Sequence, residues 1–400
     1  SVRRDDPAAD LAAVLTGTAL LALPVSADEE IGGMEEDTTQ AETVTSGDYT
    51  YTLETDGTAT IVGYSGKDTD LTLPGKLDGH VVAKLGDDAL ESQTSLQSVT
   101  IPESMTGIGD ACFFGCSSLE SFSVESGSTS FAVDDSGALL SADGTSFIAY
   151  PPAKSGDTYT VPDGVTELWP ASFAQTSLTS VSLPSGLLFI DEWAFAYSDI
   201  QSVTLPDTVT EIYDYAFAYC TRLTEMTFPA SVRSIDAASF AGCANLSSVT
   251  FADGLETVEM AAFAGTAMKE VTVPASVSAI GFCAFGYEDD MKTAVSDFVI
   301  YGSVGSEAQR YCTVEDSEND YANSFTFQSV LTEDSAASAT EDTKLQTAVE
   351  EKSPWQQYGK WVLLGVCVAV LLVGGVVLIA GGKKKKDASE SSDKSAEEKR

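Results

Sequence analysis

LPDTVTEIYDYAFAYCTRLTEMT, residues 205–227, recurs as LPSGLLFIDEWAFAYSDIQSVT at 183–204, FPASVRSIDAASFAGCANLSSVT at 228–250 and FADGLETVEMAAFAGTAMKEVT at 251–272. The shared frame is apolar-Pro-x-x-Val-x-x-Ile-x-x-x-x-Phe-Ala, then Leu-x-x-Val-Thr after a short gap. It also fits segments starting at Val161 and Val273, an interrupted copy from Ile101 and a looser one from Leu73. Starts at 161, 183, 205, 228, 251 and 273 give steps of 22 or 23 residues. A period that short, held over that many copies, means a solenoid.

Each repeat divides by its periodicity. Leu-x-x-Val-x-Leu (Leu178 to Leu183, Ile200 to Leu205, Leu246 to Phe251) ends in period-2 alternation, the mark of a short strand. Proline follows at Pro102, Pro162, Pro184, Pro206, Pro229 and Pro274, where it cannot donate to a ladder and so closes the strand. The return half, with Val, Ile and Phe more widely spaced, suits a turn plus a short second strand or helical turn. One coil cannot bury these side chains alone. Stacked coils share one apolar spine, each large buried side chain contributing roughly 1.5–3 kcal/mol.

The strand phrase is that of leucine-rich repeats. With Pro after the strand, Ile-x-x-x-x-Phe and a late Cys, the frame resembles the BspA-like leucine-rich repeats of bacterial cell-surface proteins, over roughly residues 48–327. The expected fold is a β-rich leucine-rich-repeat solenoid of stacked 22–23-residue coils with a parallel sheet and β-hairpin caps, plus one C-terminal transmembrane helix. The resemblance implies adhesion, to host matrix proteins, mucin, other microbes or polysaccharide.

In chain order, Arg3 and Arg4, the apolar run Leu11 to Leu23 and Val25-Ser26-Ala27 read as a secretory signal over 1–27. Residues 28–46, acidic and Thr-rich, read as a disordered leader. Strands Tyr49 to Leu53 and Thr58 to Tyr64 about an Asp56-Gly57 turn read as a hairpin, the core of a cap over 47–72. Repeats follow over 73–297, with a β-meander insertion at about 125–159 expected to project from the solenoid. A strand, a short helix and a final strand would cap the other end over 298–328. A flexible stalk, 329–358, leads to about twenty uncharged apolar residues at 361–380, a membrane span. Lys383 to Lys386 place the tail, 381–400, in the cytoplasm and the repeats outside the cell. No Leu-Pro-x-Thr-Gly-type sorting motif lies between Ser329 and Lys360, so the span is expected to be retained.

The 61 Asp and Glu against 21 Lys and Arg give a formal charge of −40, which disfavours nucleic acid and anionic lipid as partners. Catalysis has little to stand on. The single histidine, His80, supports neither a His-rich metal site nor more than one triad, and no Gly-rich phosphate loop, His-Glu-x-x-His or Cys-x-x-Cys occurs. No enzyme activity, catalytic residue, metal or cofactor is expected. Asp134-Asp135 and Glu288-Asp289-Asp290 lack the calcium-loop pattern and read as solvated charge. Cys116, Cys220 and Cys243 share one repeat position, three residues before Leu119, Leu223 and Leu246, and read as small buried side chains. A Cys220–Cys243 bridge stands as the alternative.

What is left is a surface. Strand positions between core residues point outward: Ser180 and Ser182, Ser202 and Thr204, Glu225 and Thr227, Ser248 and Thr250, Glu270 and Thr272. Stacking turns them into two hydroxyl-rich ladders, a candidate face for an extracellular protein or glycan ligand. The same residues also suit a strand on propensity alone. The sequence therefore reads as a membrane-anchored extracellular binding protein of the adhesion type. Two rivals stand beside it, an envelope-complex scaffold subunit and a glycan-acting hydrolase ectodomain.

Overall fold

The computed structural model describes residues 42–316 and 321–330. The signal segment, the expected span 361–380 and the tail lie outside them, as do most of the leader and stalk. Among the described residues no helix is long and apolar enough to cross a membrane.

The coil starting at Leu205 shows how the frame folds. Val209 N–H closes a turn on the Pro206 carbonyl at 3.1 Å, and the same bond recurs from Val165 to Pro162, Leu187 to Pro184, Val232 to Pro229 and Val277 to Pro274. The carbonyl of the proline that ends one strand thus accepts the bond that closes the turn to the next. A two-residue strand, Glu211–Ile212, follows and buries Ile212. Its equivalents pair in parallel from Glu167–Leu168 to Ala279–Ile280, in one continuous nine-stranded sheet.

Next comes a turn whose backbone is left-handed twice, at Tyr215 (φ 57°) and Tyr219 (φ 57°). The pair recurs at Ala171 and Gln175, Trp193 and Tyr197, Ala238 and Gly242, Ala261 and Gly265. For an L-residue this costs roughly 1–2 kcal/mol. Hydrogen bonding offsets it. Tyr215, Phe217 and Tyr219 donate N–H bonds of 3.0, 2.7 and 2.7 Å to Ala237, Ser239 and Ala241 of the next coil. Ala216, Ala218 and Cys220 bond back to Tyr213, Tyr215 and Phe217 within the turn. At Gly242 even a Cβ is excluded, since it would lie 2.4 Å from the ring of Tyr219.

Phe217 turns inward from this wall. Phe147, Phe173, Phe195, Phe217, Phe240, Phe263 and Phe285 form a column with neighbouring centroids 4.6–5.2 Å apart. All seven are fully buried.

The sheet of longer strands is broken, where a single parallel sheet was expected. Thr158–Thr160, Ser180–Ser182 and Ser202–Thr204 pair with one another, as do Glu225–Phe228 and Ser248–Phe251, then Glu270–Thr272, Val299–Gly302 and Thr326–Ser329. Beyond the meander, which separates a first group (Asp70–Thr72, Ser98–Ile101 and Ser121–Val124), both interruptions fall where coil length changes between 22 and 23 residues. The longer coils carry one extra residue between the Phe turn and the strand (Cys220-Thr221-Arg222-Leu223 against Ser198-Asp199-Ile200). That residue offsets the strand from a shorter neighbour. It lies outside the two-residue ladder, which runs on unbroken.

Two further expectations are corrected. Residues 43–46 are not a disordered leader: β1 (Thr43–Ser46) pairs antiparallel with β2 (Tyr49–Leu53), itself paired with β3 (Ala59–Tyr64). Gly47 at φ 61° makes the tight turn, and Val44 packs on the core. The meander does not project. Its strands Phe131–Val133, Leu139–Ser141 and Ser146–Ala149 pair antiparallel, and the last pairs in parallel with Glu167–Leu168, so the meander begins the nine-stranded sheet. The C-terminal end is closed by a strand, a short helix and a final strand: Val299–Gly302 and Thr326–Ser329 pair in parallel, with the helix α1 (Glu307–Tyr311) between them in the chain. Buried Asn323 ties this cap together, donating to the Tyr311 carbonyl at 2.6 Å and accepting from the Tyr287 hydroxyl at 2.7 Å.

Candidate functional site

The strand phrase places the candidate face as its alternation requires. Ser180 aligns with Ser202 and Ser182 with Thr204, while Glu225 aligns with Ser248 and Thr227 with Thr250. Ser180 is half-buried, and Ser182, Ser202, Thr204, Glu225, Thr227, Ser248, Thr250, Glu270 and Thr272 are exposed. The structure brings them together in three groups rather than one ladder, following the breaks in the sheet. A shallow depression of about 380 Å³ lies on the first group, with Ser180, Ser182, Ser185, Ser202 and Thr204 on its rim and Val181, Leu183 and Pro206 among its lining. Hydroxyls that both donate and accept, beside partly buried apolar side chains, suit an uncharged polar ligand.

His80 serves the N-terminal cap: its Nδ1 lies 3.0 Å from the Gly57 carbonyl oxygen in the β2–β3 turn. The acidic pairs are occupied within the fold. Asp134 accepts from the Ser136 and Ala138 amides and from the Tyr159 hydroxyl at 2.5 Å. Asp290 accepts from the Lys292 and Thr293 amides.

Cys220 and Cys243 are free and buried, so the bridge kept open as an alternative is not formed. Each thiol donates to a carbonyl of the preceding coil, Cys116 to Leu90, Cys220 to Phe195 and Cys243 to Phe217, at 3.0–3.1 Å. Burial pushes the Cys116 thiol up to about 12, which withholds the reactive thiolate.

A second feature was missed. Just after the two-residue strand, the coils from Ile101, Leu183, Leu205, Phe228 and Phe251 carry Asp110, Asp191 and Glu192, Asp214, Asp236 and Glu259, while the coil from Val161 has Trp169 and Pro170 there. Partial loss of solvent around the carboxyl groups, then repulsion among neighbouring carboxylates, raises the pKa of Asp110, Asp191, Glu192 and Glu259, although Asp110 and Glu192 keep exposed edges. Burial also raises Asp214 and carries Asp236 to about 6, against the opposing effect of a hydrogen bond from Ser234. The signal lay in the alignment, at repeat positions outside the strand phrase.

The pH consequence has a definite sign. A folded pKa above the unfolded one means that the unfolded chain ionises first, so this stability is present below about pH 4 and lost as pH rises through about 6. The melting temperature should therefore rise between pH 7 and pH 5, and Asp236→Asn should flatten that rise in thermal melts. A rise undiminished in Asp236→Asn would place its origin elsewhere. Asp56, Asp143 and Asp290, whose pKa values are lowered chiefly by threonine and serine hydrogen bonds, work the other way in stronger acid.

Comparison with known proteins completes the picture. The family model described as the BspA type leucine rich repeat region matches in six copies over residues 71–134 and 166–292. The gap between the two stretches holds most of the meander. No curated protein matches. Among solved structures, the pneumococcal vaccine antigen PcpA is 17% identical, over 73% of this chain and 99% of that one, with a TM-score of 0.47. A leucine-rich-repeat protein from Eubacterium ventriosum is 20% identical, over 61% of this chain and 93% of its own, at 0.42. A leucine rich cell surface protein from Faecalibacterium prausnitzii is 25% identical, over 66% of this chain and 55% of its own, at 0.30.

Proposed function

Because the chain is built on BspA-type leucine-rich repeats, we propose that it is a binding protein of the bacterial cell surface, held there by residues 361–380, that engages a protein or glycan outside the cell and serves adhesion. The observation that supports this reading is the depression on the hydroxyl-bearing strands, where Ser180, Ser182, Ser202 and Thr204 stand in register beside exposed edges of Leu183 and Pro206. Stacked coils offer a long, stiff surface of this kind, and solenoids are commonly used through it. No catalytic role is assigned to it.

The test is a binding screen of the chain on glycan, mucin and matrix-protein arrays, repeated with Thr204→Lys. Thr204 is exposed, so the lysine should leave the melting temperature within a degree or two while blocking the depression. A saturable ligand should lose roughly tenfold or more in affinity, the size of one lost central contact. A ligand indifferent to Thr204→Lys would move the site off this face, and an empty screen would remove the adhesion reading.

A further inference from the structure

A different part of the coil carries a run of half-buried aromatic rings, apart from the hydroxyl face. It lies at the seam where the coil from Ile101 meets the coils beyond the meander. There the backbone ladder between coils is completed by a side chain: the Gly115 amide donates to Gln175 Oε1 at 2.9 Å, across sixty residues of chain. Phe114 meets Trp193 and Tyr197 edge-on at 6.1 and 6.4 Å, Trp193 stacks on Tyr215 at 4.3 Å, and Tyr197 on Tyr219 at 4.9 Å. All five rings are only half-buried. Beside them a cavity of about 230 Å³ is walled by Trp169 and Pro170 and rimmed by Asp110, Glu167, Asp191 and Glu192.

We infer that this seam docks a basic segment of a protein partner, with one arginine or lysine side chain seated in the cavity against Trp169. Charge complementarity selects the occupant. Among the described residues the ion pairs are Arg222–Asp199, Arg233–Glu256 and Arg310–Glu307, so none of the four rim carboxylates is paired with a described cation. Nor do three acidic, His or Cys side chains converge closely enough to hold a metal ion anywhere among the described residues. Carboxylates spread around a rim, with an indole in the wall, fit an extended cation that stacks through its π-face and reaches several acceptors. Glu192 on the rim is followed in the chain by Trp193, the first of the stacked rings. The inference does not depend on the hydroxyl face.

Calorimetric titration of the full chain with acetyl-(Arg-Gly)4-amide, against the neutral peptide with citrulline for arginine, tests it. The arginine peptide should bind at least tenfold more tightly at physiological salt. Trp169→Leu and, separately, Glu192→Gln should each weaken it roughly 3- to 30-fold, the loss of one cation–π or charged contact. Glu225→Gln and Glu270→Gln, on the hydroxyl face, should leave it within twofold. Should Trp169→Leu disturb folding, Glu192→Gln on an exposed side chain carries the test alone. Equal weakening by Glu225→Gln and Glu192→Gln would reduce the attraction to net charge and overturn the site. So would displacement of the peptide by calcium chloride at matched ionic strength, which would make the cavity a metal site.

Discussion

Phe217→Ala is expected to cost about 3–5 kcal/mol of folding stability, the usual range for removing a fully buried phenylalanine. Phe217 is wholly excluded from solvent and lies between Phe195 at 4.9 Å and Phe240 at 5.0 Å, with interplanar angles of 3° and 6°. One substitution therefore breaks two inter-coil interfaces. In a solenoid, where stability is close to a sum of repeats and nearest-neighbour contacts, no distant contact makes good the loss. Against a total of roughly 5–15 kcal/mol, the change removes a large share of the margin. Phe217→Leu keeps most of the apolar volume and should recover more than half of it. Urea unfolding followed by circular dichroism reads the difference as a lowered midpoint at unchanged slope. A cost below about 1 kcal/mol would mean that the cavity collapses freely and that the ring column is a by-product of the repeat.

The Phe column also shows why much of the fold was legible in the sequence. Pro206, Val209, Ile212, Phe217 and Leu223, which recur at 22 or 23 residues, are buried or turn-forming positions, and recurrence exposes such positions without an alignment of relatives. What recurrence could not expose is backbone conformation. Tyr215 and Tyr219 are poor candidates for left-handed φ by residue type, and only hydrogen bonds to Ala237 and Ala241 of the next coil make that geometry tolerable. The broken outer sheet had a readable cause, the one-residue difference between coils, but its effect depends on where the extra residue sits in three dimensions. Thr43–Ser46 was misread because its composition resembles the acidic leader, although Thr-Val-Thr before Ser-Gly-Asp is a strand and a turn. Of the candidate sites, the hydroxyl face followed from alternation alone. The seam did not, since Gly115 and Gln175 come together only through the way the meander is inserted.

That insertion leads to the second large effect: Phe147→Ala and Ile148→Ala, one residue apart, are expected to destabilise different halves of the molecule. The strand Ser146–Ala149 is buried on both faces. Phe147, with Ala138, Leu140 and Tyr150, belongs to the core that runs on to Cys312. Ile148, with Phe131, Leu139 and Ala149, belongs to the core that begins at Tyr51. Phe147 and Ile148 thus lie in different cores, as neighbours on opposite faces of a strand do, and the meander is a layer between the two. Phe147→Ala should cost about 3–5 kcal/mol and Ile148→Ala about 2–5 kcal/mol. Native-state hydrogen exchange should locate the losses: lower protection across residues 159–312 for the first and across 51–124 for the second, as for cooperative units that open separately. Equal loss in both halves from either substitution would make the meander a rigid weld and the solenoid one cooperative body. Separate losses would make it a joint, and because the aromatic seam spans that joint through Phe114 and Trp193, a ligand seated there would bind the two halves to each other and raise the protection of both.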